Sequence, residues 1–165
     1  MSKVRVGLTV VLGLAVSATA SAEWFAKIED DIFTDGKKGV LIGDIGPSHA
    51  LAFDCGEDKL TAALIEEGKE ENAGPSMDGQ LIIKVDQNPP IKMAATYGQR
   101  NPTFRQMISY DSDSTLKVLK QIQAAQSKIL VGVTFPETGS KWSATASVSG
   151  STRETTRFLE ACKLN

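Results

Sequence analysis

Cys55 and Cys162 are the only cysteines in the chain, and three residues follow the second. If they are joined, they tie an early segment to the last one and restrict every fold the chain can adopt. A closed loop of about 100 residues is worth up to ~4.7 kcal/mol in the chain-entropy description of disulfides. A metal site is the weaker reading, because two cysteines and a single histidine cannot complete a four-ligand zinc site. No CxxC redox motif is present.

The start of the chain favours the disulfide. Lys3 and Arg5 precede an apolar run from Val6 to Val16, and Ser17 to Ala22 is a stretch of small residues. Ala20 and Ala22 stand at the positions of an A-x-A cleavage site, so residues 1–22 read as a signal peptide and the mature chain is expected to begin at Glu23. An apolar core of about 11 residues is shorter than the roughly 20 that span a bilayer. No cysteine lies near the cleavage point to take a lipid, and no later apolar run is long enough for a membrane helix. The expected location is therefore periplasmic or secreted, where disulfides persist. Removing Lys3 and Arg5 lowers the 18 basic residues to 16 against 20 acidic ones, a balance of about −4. That mild acidity without a basic stripe argues against nucleic acid and anionic membranes as partners.

Residues 23–165 read as a single domain. Ser114 or Asp113 predicts the N-cap of a helix from Thr115 to Gln126, with Leu116, Val118, Leu119, Ile122 and Ala125 buried. Lys128 to Phe135 alternates as a strand with one strongly apolar face. Trp142, Ala144, Ala146 and Val148 alternate with Ser143, Thr145, Ser147 and Ser149, a strand with one face in water. Ser151-Thr152-Arg153-Glu154 has the spacing of a capping box. Thr155, Phe158, Leu159 and Cys162 then recur on one helical face. Further strands are expected at Trp24–Glu29, Gly39–Ile45, Ala50–Cys55, Leu60–Glu66, Gln80–Asp86, Ile91–Thr96 and Arg105–Tyr110, with a turn at Gly56-Glu57-Asp58. The predicted class is α+β: an antiparallel sheet of about six to eight strands with two helices packed on one face and one disulfide, Cys55–Cys162. Glu67–Gly79 and Gly98–Pro102 read as polar loops, the second carrying Arg100.

No reaction is legible in these residues. His49 adjoins Ser48, but neighbours on a strand point to opposite faces, so the two are not expected to bond if the strand starts that early. No G-x-S-x-G elbow is present, and His49 reads as a strand-edge residue. Asp30, Asp31 and Asp35 cluster near the mature start, with Asp44 and Asp54 at strand ends; acidic residues at turns commonly serve local hydrogen bonding. Asp111-Ser112-Asp113 opens like a calcium loop, yet Leu116 stands where glycine is needed and Ile122 where glutamate should coordinate. Trp142 reads as core, and Trp24 as core or exposed strand edge. No catalytic residue, cofactor or metal is predicted.

The order of features carries a resemblance. It runs through Trp24, Asp30-Asp31, the strand ending in Cys55, Lys84-Val85-Asp86, Ser109-Tyr110-Asp111-Ser112-Asp113 before a helix, the strand Ile129–Phe135, Ala144 to Gly150-Ser151, and the helix ending at Cys162. This arrangement resembles the small exported two-cysteine proteins related to type VI secretion accessory proteins of the TagO and VasI kind, and more remotely the invasion-associated locus B family. Lys84 stands where the first group leads one to expect arginine, and Lys163-Leu164-Asn165 where one expects an aromatic residue. The resemblance implies a non-enzymatic accessory or binding protein of the bacterial cell envelope, with another envelope protein as partner. The alternatives are an inhibitor or immunity-type protein that plugs an envelope hydrolase, and an enzyme using Asp30, Asp31 and Asp54 with His49. The surfaces expected to carry contacts are Glu67–Gly79 and the wet face of Ser143–Ser149.

Overall fold

The computed structural model describes residues 23–56, 59–69 and 75–164. The expected signal peptide, Glu57 and Asp58 of the expected turn, and residues 70–74 of the first polar loop lie outside them. Among the described residues the chain forms β1 (Trp24–Asp30), β2 (Lys37–Asp44), β3 (His49–Gly56), β4 (Lys59–Glu67), β5 (Met77–Val85), β6 (Ile91–Asn101), β7 (Phe104–Ser109), α1 (Ser112–Gln123), β8 (Ile129–Phe135), β9 (Ser140–Ala146) and α2 (Ser151–Ala161). The nine strands make one sheet in the order β1-β2-β3-β4-β7-β6-β5-β8-β9, and every neighbouring pair is antiparallel. After β4 the chain skips outward to β5 and returns through β6 and β7 to pair with β4. Helix α1 then carries it back over the sheet to β8.

The molecule is mostly β. An antiparallel sheet with two helices is present as expected, but with more strands than the six to eight predicted. The strands also differ from the expected ones in where pairing ends. The stretch Met77–Gly79, expected in a loop, belongs to β5 and pairs with Ala95 to Tyr97 on β6. Residues 98–101, also expected in a loop, extend β6 alongside β7 through an irregularity between Gln99 and Asn101.

Alternation sorts the strand residues onto two faces. Trp24, Leu41, Leu51, Phe53, Leu64, Leu81, Ile83, Met93, Met107, Ile129 and Val131 point inward. They form one core with Val118, Leu119, Ile122, Phe158 and Leu159 from the helices. The sheet curls around that core. Its opposite ends approach one another: the Glu23 backbone N–H donates to the Ser149 carbonyl, 3.2 Å, and the Trp24 indole N–H donates to the Ser147 carbonyl, 2.7 Å. Trp24 is therefore core, and it lies so closely over Gly43, its partner across the ladder, that a Cβ there would overlap the indole. Helix α2 covers the exposed edge of β1. Glu154 Oε2 accepts from the Ala26 N–H, 3.1 Å, and Arg157 Nη1 donates to the Ala26 carbonyl, 3.0 Å. These side chains take the part of a missing neighbouring strand.

Cys55 and Cys162 are joined, so the last helix is fastened to β3 as expected. Disulfides of this kind persist in oxidising, non-cytoplasmic compartments. No helix among the described residues is long and apolar enough to cross a membrane. Both helix starts differ from the expected ones. Asp111 caps α1, accepting from the Ser114 N–H at 3.0 Å, so the helix begins and ends three residues earlier than predicted. The earlier carboxylate reaches the same kind of orphan N–H and leaves Asp113 in the first turn. At α2 the capping box does not form. The cap is Gly150 in a left-handed conformation, Ser151 Oγ donates to the Ile122 carbonyl, 3.4 Å, and Glu154 is drawn away to β1.

Candidate functional site

The helices fill one end of the concave face and leave the other open. Helix α1 sits at the Leu60 end of β4, where Ser112 Oγ donates to the Leu60 carbonyl, 3.0 Å. At the far end of the same strands a cavity of about 380 Å³ opens between Leu64, Glu66, His49, Met77, Tyr97, Arg105, Met107, Val133, Phe135 and Trp142. Its size lies within the range of small-ligand sites. A larger, open cleft of about 720 Å³ runs beside the disulfide, but its charged side chains are scattered and Lys37 there is already paired with Asp30 at 2.6 Å. The mouth cavity is the site where polar groups converge.

That convergence follows from strand register. His49 lies opposite Glu66, and Glu66 lies opposite Arg105. Each sits two residues beyond an inward apolar one (Leu51, Leu64 and Met107), so the inward phase ends in a row of polar side chains at the rim. Tyr97 continues the inward phase of Met93 and Ala95 on β6. The Tyr97 hydroxyl donates to Glu66 Oε1, while His49 Nε2 stands 3.6 Å from Glu66 Oε2. Burial pushes the Tyr97 hydroxyl above its usual range, the hydrogen bond to Glu66 adds to the rise, and Arg105 opposes it in part. The phenol therefore stays protonated, a donor to the carboxylate. Gly68 leaves space for the Arg105 stem, which a Cβ would meet at 2.8 Å.

The opposite wall is apolar. Met77, Val133, Phe135 and Trp142 come from β5, β8 and β9. Phe135 meets Tyr97 edge to face with ring centroids 5.8 Å apart. The Trp142 and His49 rings stack at 4.6 Å with 22° between their planes. Those two residues belong to strands six places apart in the sheet order, so this stack is where the curled sheet meets itself across the mouth. Gly79 is required behind this wall: a Cβ would meet the Thr134 carbonyl at 2.5 Å and the Met107 methyl at 2.8 Å.

The residues singled out in the sequence are dispersed. Asp30 pairs with Lys37. Asp31 accepts from the Phe33 N–H and the Thr34 hydroxyl within its own turn, and both lower its carboxyl below the usual range. Asp54 is held on the outer face by Arg100 at 2.7 Å, whose guanidinium also donates to Gln106, 2.8 Å. Arg100 is thus a strut across the sheet and not a loop residue. Asp35 and Asp44 join neither group, and no cluster of three or more His, Cys, Asp or Glu suited to a metal occurs among the described residues.

Ser48 and His49 bond, Oγ to Nδ1 at 3.0 Å: β3 starts at His49, so the condition under which no bond was expected, a strand that already includes Ser48, is not met. Trp142 and His49 are not simply core and edge: both are half-buried and line the cavity. Glu66, Tyr97 and Arg105 were not picked out in the sequence. Their signal is a polar residue falling in phase with an apolar inward face at a strand end. Comparison with known proteins adds nothing to this site, since no family model, curated protein or solved structure matches the chain.

Proposed function

We propose that this chain is an exported, non-catalytic binding protein of the bacterial cell envelope, and that part of the bound component enters the mouth of the curled sheet. The observation that carries this reading is the cavity itself, a half-open space with one apolar wall and one wall of polar side chains held in place by one another. Tyr97, His49 and Glu66 restrain each other in a way that suits a preorganised binding surface. The disulfide supports the exported location, and the TagO- and VasI-like order of features extends the reading to a secretion assembly.

A test places a photoreactive residue at Met77 in the mouth, or at Lys84 on β5 away from it, in the disulfide-bonded protein exported by its own host. The binding reading expects one adduct of fixed stoichiometry from position 77 and none from position 84. Equal labelling from both positions, or none from either, overturns it.

One observation favours a second reading. Ser48, His49 and Glu66 form a chain of the residue types used in acyl transfer. Against it, the serine bonds Nδ1, and Glu66 is shared with Tyr97. A Ser48→Ala variant that retains any hydrolysis of ester probes by the purified protein removes this reading.

A further inference from the structure

We infer that the mouth cavity takes an uncharged apolar ligand, a short alkyl chain or a small ring system, held by contact with the apolar wall and not by a charged head group. The inference rests on the binding reading above and names the ligand class.

The polar wall is closed on itself. The Glu66 carboxylate has a protein group facing each oxygen, the Tyr97 hydroxyl at Oε1 and His49 Nε2 at Oε2. Arg105 is hydrogen-bonded with Tyr97, so its guanidinium belongs to the same network. The imidazole is held on two further sides, by Ser48 Oγ at Nδ1 and by the Trp142 ring against its face. An ionised head group entering the cavity would lose part of its water and meet polar groups already engaged with one another. Burying a charge without new partners is costly, whereas an apolar group has no such charge to desolvate.

The rest of the lining gains from an apolar guest. Leu64, Met77, Met107, Val133, Phe135 and Trp142 make up the greater part of it and carry no charge. Methionine adapts to guests of different outline, and aromatic rings offer broad contact area. The volume of about 380 Å³ lies at the lower end of small-ligand cavities, which suits a single short chain or one or two rings. Apolar burial is non-directional, so charge and size select the ligand here.

The test titrates the disulfide-bonded protein at pH 8, where imidazole side chains are neutral, with three probes of equal chain length: 1-octanol, octanoate and octylammonium. Trp142 fluorescence is the readout, since Trp24 is sealed in the core, and calorimetry gives the affinities independently. 1-Octanol is expected to bind at least tenfold more tightly than either ion, with an affinity insensitive to added salt and the negative heat-capacity change of apolar burial. Met77→Glu, which puts a charge into the apolar wall at the start of β5, should weaken 1-octanol at least tenfold. Unchanged affinity in that variant places the probe elsewhere and overturns the inference. The probe series needs no variant, so a poorly folding Met77→Glu protein does not block the test. Octanoate or octylammonium binding as tightly as 1-octanol overturns the uncharged-ligand inference and leaves a binding cavity standing. Failure of all three probes at millimolar concentration overturns both the inference and the binding reading. The mass of the photoadduct at position 77 then separates a free molecule from a side chain of a protein partner. From either source an apolar group at the point of attachment supports the inference, and an ionised one overturns it.

Discussion

Among single residues, Asp86 shows how much of this fold depends on small polar clamps. It sits just beyond β5 with φ of 50°, a left-handed conformation that Asp and Asn tolerate better than most residues. Its carboxylate accepts from the backbone N–H groups of Gln126, Ser127 and Lys128 at 2.8, 2.9 and 2.9 Å and from the Ser127 hydroxyl at 2.6 Å. The Ser127 hydroxyl and these backbone donors hold its carboxyl far below the ordinary range. A carboxyl depressed in the folded state stabilises fully above its unfolded value, about 3.9, and loses that contribution as pH falls toward the folded one. Asp86→Asn should therefore melt at lower temperature than the parent at pH 7, and the gap should narrow at pH 3. A gap that stays constant across that range would show that the charge contributes nothing. The sequence placed Asp86 at a strand end, but its role depends on the connection after α1, 40 residues away, and no local pattern announces such a partner.

At the level of elements, the pairing of α2 with β1 decides whether the sheet has an open edge. Burial pushes the Glu154 carboxyl up, but hydrogen bonds from Arg153 and the Ala26 N–H, with the nearby charges of Arg153 and Arg157, more than offset it and leave it lowered. Glu154→Ala leaves the Ala26 N–H without its acceptor. A lost buried partner costs about 1–3 kcal/mol, so chemical denaturation should shift by that amount and the Ala26 amide should exchange faster with solvent. Unchanged exchange at Ala26 would mean that another group covers the edge. Strand and helix positions were largely legible, since β3, β4, β8 and α2 follow their apolar periods. Cap identities were not. Ser151 and Glu154 have the spacing of a capping box, yet both side chains are claimed by partners distant in sequence, Ile122 and Ala26. Tertiary contacts override the local motif.

Across the whole molecule, the disulfide joins segments separated by 107 residues, and its loss acts on the entire fold. Replacing both cysteines by serine should lower stability by about 2–5 kcal/mol, read as a shift in the urea midpoint, with unchanged β content in the folded baseline. A shift below 1 kcal/mol would assign the fastening of α2 to packing and the Glu154–Ala26 contact alone. The pairing of Cys55 with Cys162 was legible because the chain offers no other partner. The cavity was not, because it exists only where a nine-stranded sheet curls until His49 and Trp142 touch, and curvature has no one-dimensional signature. The seam between β1 and α2 also sets an order of events. Synthesis delivers the strand before its cover, since Ala26 and Glu154 are 128 positions apart in sequence. Until α2 docks, β1 keeps a bare edge whose Ala26 N–H and carbonyl lack their partners. A chain in which α2 is undocked therefore offers that edge to a neighbouring chain.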